Sequence, residues 1–118
     1  MVVVPNDYGS IRIVCALVNP TGHSERGKET VTILNTTNED KNLQGFCIED
    51  NNGRQELDGV LARGETQRVT LCNHVQLGNS GDTITILDDT NEDNPDKIID
   101  QVSYESHELP PEGYTKVF

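Results

Sequence analysis

No stretch of ten residues in this chain carries an apolar repeat of helical period, yet short runs alternating apolar with polar residues recur along it. Alternation marks a strand with one buried face. Residues 29–35 show it plainly, with Val31 and Ile33 on one side and Thr30 and Thr32 on the other. Comparable runs cover residues 11–18, 43–50, 57–61, 66–72, 83–88, 98–104 and 114–118. In them Phe46, Ile48, Val69 and Leu71 are expected to face inward. Turn chemistry separates the runs: Asn19-Pro20-Thr21-Gly22, Asn51-Asn52-Gly53, Arg63-Gly64-Glu65, Gly78-Asn79-Ser80-Gly81-Asp82 and Pro110-Pro111. The spacing predicts an all-β fold, a sandwich of seven to nine short strands. Residues 1–10, with Pro5, Asn6, Asp7 and Gly9, read as a lead-in, and residues 11–118 as one domain.

Arrangement matters here because composition alone misleads. An apolar fraction of 33% and a mean hydropathy of −0.56 would suit a disordered chain. Clustering of the Val, Ile and Leu residues argues instead for a folded domain with thin strands and long polar loops. A chain this long buries roughly 65% of its extended surface on folding, enough for a core without disulfide staples.

Twenty acidic residues against nine basic ones leave a net charge of −11. Such a field repels phosphate backbones, so no nucleic-acid partner is expected. It fits a solvated acidic surface, a cation site or a basic partner. No apolar run approaches the roughly 18 residues of a membrane span, so no membrane insertion is expected. Residues 1–5 lack the basic and long apolar regions of a signal peptide. Cys15, Cys47 and Cys72 form no Cys-x-x-Cys pair. Cys47 and Cys72 fall on outer strand faces by alternation. One surface disulfide is an option, but three free thiols in a reducing, cytoplasmic setting are the simpler reading.

Motifs for catalysis are sparse. His23, His74 and His107 fall in loops, and no Ser or Cys sits in a nucleophile motif, so they read as surface histidines and the chain as no enzyme. Cys72-x-His74 offers two zinc ligands with no second pair at ligand spacing. Gly78-x-x-Gly81 lacks the Lys and the helix of a phosphate loop. No catalytic residue, cofactor or metal ligand is therefore assigned. The acidic loop at residues 88–96 is the one candidate for weak calcium binding. Asp89, Asn91 and Asp93, with Asp100 eleven residues after the first, follow the oxygen-ligand spacing of an EF-hand loop. Asn94 stands where that loop needs Gly, and the flanks are strands rather than helices.

The sequence also echoes itself. Residues 30–40 read TVTILNTTNED and residues 83–93 read TITILDDTNED, agreeing at eight of eleven positions. Two equivalent hairpins, over residues 30–48 and 83–104, would account for the echo.

From Ile11 to Tyr104 the motifs resemble the lamin-tail domain, the immunoglobulin-like module of nuclear lamins and of many bacterial proteins. Glu29-x-Val31-x-Ile33-x-Asn35 is similar to its first signature strand. Leu43-x-Gly45-Phe46 resembles its Leu-x-Gly-Trp element, followed by Asp50-x-x-Gly53. Leu61-x-x-Gly64-Glu65, Leu77-x-Asn79-x-Gly81-Asp82-x-Ile84 and Asp100-x-Val102-x-Tyr104 follow in the family's order. Phe46 replaces the frequent Trp, Arg63 stands where Pro is usual, and the 88–96 loop is longer and more acidic. The turn at residues 19–22 and the tail at 112–118 look closest to the C-terminal part of YukJ-like bacterial proteins. The resemblance implies an immunoglobulin-like β-sandwich acting as a noncatalytic protein-interaction or scaffolding module within a larger bacterial protein. The acidic loop supports an alternative, a calcium-dependent adhesion or carbohydrate-binding module. Neither reading names the protein partner.

Overall fold

Alternation in the first two runs becomes an antiparallel ladder in the computed structural model, which describes residues 8–18, 29–71, 81–90, 97–110 and 115–118. β1 (Ile11–Leu17) pairs with β2 (Thr30–Asn35), Ile13 opposite Ile33 and Ala16 opposite Val31. Next in chain order come β3 (Lys41–Asn42), β4 (Phe46–Glu49), β5 (Arg54–Glu56), β6 (Val60–Leu61) and β7 (Thr66–Thr70). β8 (Gly81–Asp88), β9 (Lys97–Glu105), a single 3-10 turn (Ser106–Glu108) and β10 (Lys116–Val117) complete the described elements. One four-stranded sheet has the order β10-β1-β2-β7 and the other β5-β4-β8-β9, while β3 and β6 pair alone.

The inward residues of the two sheets make one core. Ile11, Ile13, Val31, Ile33 and Val69 come from the first sheet, and Ile48, Ile84, Ile86, Ile99 and Tyr104 from the second. Each such side chain contributes about 1.5–3 kcal/mol by leaving water. The fold is thus the expected all-β sandwich.

Four expectations need correction. The described residues hold ten strands rather than seven to nine. The extra ones, β3 and β5, consist of Lys-Asn and Arg-Gln-Glu, which show no apolar alternation. Residues 43–50 are not one strand: the chain turns at Gly45, whose φ is +88°, and the Phe46 amide donates back to the Leu43 carbonyl at 2.9 Å. Cys47 does lie on the face of β4 away from Ile48, yet it is buried, 1% exposed. Finally, the echo does not mark two hairpins. β8 and β9 form one, but β2 and β4 belong to different sheets, with β2 held between β1 and β7.

Two bulges meet where the sheets approach each other. Val14 is the extra residue in β1, and Ile99 the extra residue in β9. A bulge strips backbone groups of their ladder partners and bends the strand. Here the loose groups find each other across the gap: the Ile13 amide donates to Asp100 Oδ2 at 2.7 Å, and the Gly9 amide to the Ile99 carbonyl at 2.7 Å. On the opposite side Gln55 Nε2 donates to the Thr70 carbonyl at 3.1 Å, linking β5 to β7.

Candidate functional site

Asp100 settles part of the calcium expectation. The residue is 2% exposed, and its carboxylate accepts from the Ile13 amide and lies 3.4 Å from Arg12 Nε. The bulge at Ile99 turns it into the corner between the sheets, so it is committed to β1 and not to the acidic loop. Asp89 lies 3.6 Å from Arg54 Nη1, and Nη2 and Nε of the same guanidinium donate to Glu49 Oε2 at 2.5 and 2.9 Å. Asn91 and Asp93 lie outside the described residues, as do His23, Cys72, His74 and Gly78. Neither Cys15 nor Cys47 is in a disulfide. Among the described residues no helix is long and apolar enough to cross a membrane.

His107 sits on the 3-10 turn with Glu105 and Glu108, their ligand atoms within 4.8 Å of one another. All three are exposed. The grouping has a local cause: Glu108 Oε1 accepts the Glu105 amide at 3.0 Å, and His107 Nδ1 lies 3.4 Å from Glu105 Oε2. Lys116 reaches Glu108 Oε2 at 3.7 Å. A capped turn explains these contacts.

Among the described residues a cleft of about 560 Å³ lies at one end of the second sheet. One wall is the β3–β4 turn, with Asn42, Gln44 and Gly45. The other is the end of β5 and the segment after it, with Glu56 and Asp58, while Thr90 closes the end and Leu57 forms the floor. Backbone bonds fix the walls. Leu57 donates to the Phe46 carbonyl at 2.8 Å, Leu43 to the Gly59 carbonyl at 2.8 Å, and Asp89 to the Gly45 carbonyl at 2.9 Å. Gly45 is required twice over, since a Cβ there would overlap the Thr90 methyl and its φ is positive. Glu56 and Asp58 are exposed and join no ion pair among the described residues.

β5, beside this cleft, is an edge strand. The Asp50 amide donates to the Gly53 carbonyl and the Leu57 amide to the Phe46 carbonyl, so odd-numbered residues of this segment face β4. Antiparallel alternation then turns the peptide groups of Arg54 and Glu56 outward.

At the other end of the β4–β5 hairpin, Asp50 is 7% exposed. Its Oδ1 accepts the amides of Asn52 and Gly53 at 2.8 and 2.9 Å. Asp82, 5% exposed, accepts the amides of Asn51 and Thr83 at 3.2 and 2.8 Å. Burial pushes the Asp50 pKa above the ordinary carboxylate value, the amides of Asn52 and Gly53 pull it partly back, and the charge of Asp82 adds to the rise.

No family model matches the chain, and no curated protein or solved structure matches it either.

Sequence reading missed both features. The cleft joins positions 42–45, 56–58 and 90, which no motif spacing connects. Asp50 and Asp82 stand out in the sequence only as turn residues, and nothing in their spacing announces that Asp82 meets the turn of Asp50.

Proposed function

We propose that this chain is a noncatalytic interaction module, an immunoglobulin-like sandwich of the lamin-tail type within a larger bacterial protein. We further assign its contact surface to the acidic cleft and the β5 edge. The cleft carries the reading. Two carboxylates that join no ion pair among the described residues, two side-chain amides and a Thr hydroxyl around an apolar floor suit a cationic, hydrogen-bonding guest. The neighbouring edge presents backbone groups that an extended segment can pair with. A net charge of −11 draws the same kind of partner. The occupant is a basic, extended stretch of a partner protein, its Lys or Arg side chain seated between Glu56 and Asp58. Exposed ion pairs are worth about 0.2–1 kcal/mol each, so the contact is modest and sensitive to salt.

An NMR titration with an extended Lys/Arg-rich peptide tests this, with an acidic peptide as control. The amides of Gly45, Glu56, Asp58 and Thr90 should shift saturably. Raising the salt should weaken binding, and Glu56→Gln with Asp58→Asn should remove it. Unmoved amides at millimolar peptide would sink the assignment.

A further inference from the structure

Asp50 Oδ2 is shut off from solvent and accepts no hydrogen bond, although the residue is more than nine-tenths buried. A bare, desolvated carboxylate oxygen costs several kcal/mol unless a positive charge meets it. Among the described residues Asp50 makes no ion pair, so no Lys, Arg or His of theirs supplies that charge. A second buried carboxylate worsens the problem. The Asn51 amide, next in the chain to Asp50, is held by Asp82 Oδ1, which brings Asp82 at the start of β8 against the turn that carries Asp50.

We propose that Asp50 and Asp82 bind a divalent cation of the hard, oxygen-seeking class, calcium foremost, between the β4–β5 turn and the start of β8. The donor set fits that class. Both carboxylates offer oxygen, the exposed Asn51 and Asn52 that follow Asp50 in the chain carry side-chain amides of the same hard-donor kind, and neither thiol nor imidazole is needed. The site is separate from the acidic loop, because Asp50 and Asp82 belong to neither the β8–β9 connection nor the β9 bulge. It also differs from the Glu105, His107 and Glu108 group, whose members are exposed and already engaged with one another or with Lys116. Nor does it depend on the cleft reading, which uses other residues.

The raised pKa of Asp50 gives the linkage its sign. Without the cation, the folded chain holds the Asp50 proton more tightly than the unfolded chain does. Asp50's contribution to stability is then full below its ordinary value of 3.8 and is lost as pH rises through the raised value. A bound cation takes the proton's place and removes that loss.

Thermal unfolding and amide NMR at neutral pH test the site with calcium alone as the probe. With a dissociation constant of about 0.1–1 mM, as in modest oxygen-ligand sites, about 10 mM calcium should raise Tm by several degrees. The amides of Asn51, Asn52, Gly53 and Thr83 should shift together. Asp50→Asn keeps the Oδ1 acceptor for both turn amides, and in it the calcium response should weaken by at least tenfold. Asp82→Asn serves as a second variant if the first unfolds. A calcium response unchanged in both variants would place the ion elsewhere and overturn the proposal. So would a wild-type protein whose Tm and turn amides ignore calcium at about 10 mM.

Discussion

Residues 30–37 and 83–90 begin as near copies and end in different places. Each starts as a Thr/Ile strand with its β-branched residues in the core: Val31 and Ile33 in one, Ile84 and Ile86 in the other. Each closes with the same turn. Asn35 Oδ1 accepts the amide and hydroxyl of Thr37 at 3.0 and 2.8 Å, and Asp88 Oδ1 accepts those of Thr90 at 2.9 and 2.7 Å. The copies part over one further group. Asn35 carries an Nδ2 that donates to the Glu39 and Leu61 carbonyls at 2.8 and 2.9 Å. That amide is wholly buried and anchors the chain as it leaves the first sheet towards β3 and β6. Asp88 has no such donor, and its strand returns as β9. Local turn chemistry repeats with the sequence, whereas the destination of the chain depends on what waits nearby.

The largest test of this contrast is Asn35→Asp. A carboxylate there keeps the turn but faces two carbonyl oxygens without a donor, at a fully buried position. The expected loss is about 3–5 kcal/mol in urea unfolding. A loss below 1 kcal/mol would show that the second role of Asn35 is unimportant, and the two turns would be equivalent after all.

Asp100→Ala comes next. β9 is the partner strand that only the second copy acquires, and Asp100 ties it to β1. Removing the carboxylate leaves the buried Ile13 amide without an acceptor, at about 2–3 kcal/mol. Asp100→Asn, which keeps an acceptor, should recover part of that.

Gly45→Ala probes what surrounds Thr90 and has no counterpart at Thr37. The new Cβ meets the Thr90 methyl in a left-handed backbone, and the cost should be about 1–3 kcal/mol. Adding Thr90→Ser should return the steric share while the backbone share remains. Full recovery would mean that the positive φ carries no strain.

The smallest expected change is Asp88→Asn, the mirror of the first substitution. Its Oδ1 still accepts from Thr90, and the side chain is only half-buried. A shift within about 0.5 kcal/mol is expected. A larger one would mean that the charge itself shapes the β8 end.

Much of this architecture could be read in advance, and the parts that could not have physical reasons. Alternation located β1, β2, β7, β8 and β9, because each buries one face against the opposite sheet. It could not locate β3 or β5, whose pairing comes from a neighbouring turn rather than from burial. Strand alternation put Cys47 on the correct face and said nothing of its depth, since depth depends on what crosses that face. A spacing of eleven residues from Asp89 marks Asp100 in the sequence as a loop ligand. An unforeseen bulge at Ile99 buries two successive residues, Ile99 and Asp100, and breaks the alternation that the reading relied on. The candidate sites were hidden for a different cause: three-dimensional neighbours such as Gly45 and Thr90, or Asp50 and Asp82, leave no periodic trace.

The clasp between Asp100 and Ile13 also sets a clock. Its partners lie 87 residues apart, and β10 must come back to β1 across an even longer span of chain. Contacts so distant along the chain form only after most of the loop-closure entropy has been spent, which places this fold among the slower, millisecond-to-second class. A corner closed that late contributes little at the folding barrier. Loosening it should therefore leave the refolding rate nearly unchanged and show itself as faster unfolding. In the lifetime of the folded molecule, this one carboxylate acts as a latch on the exit rather than a guide on the way in.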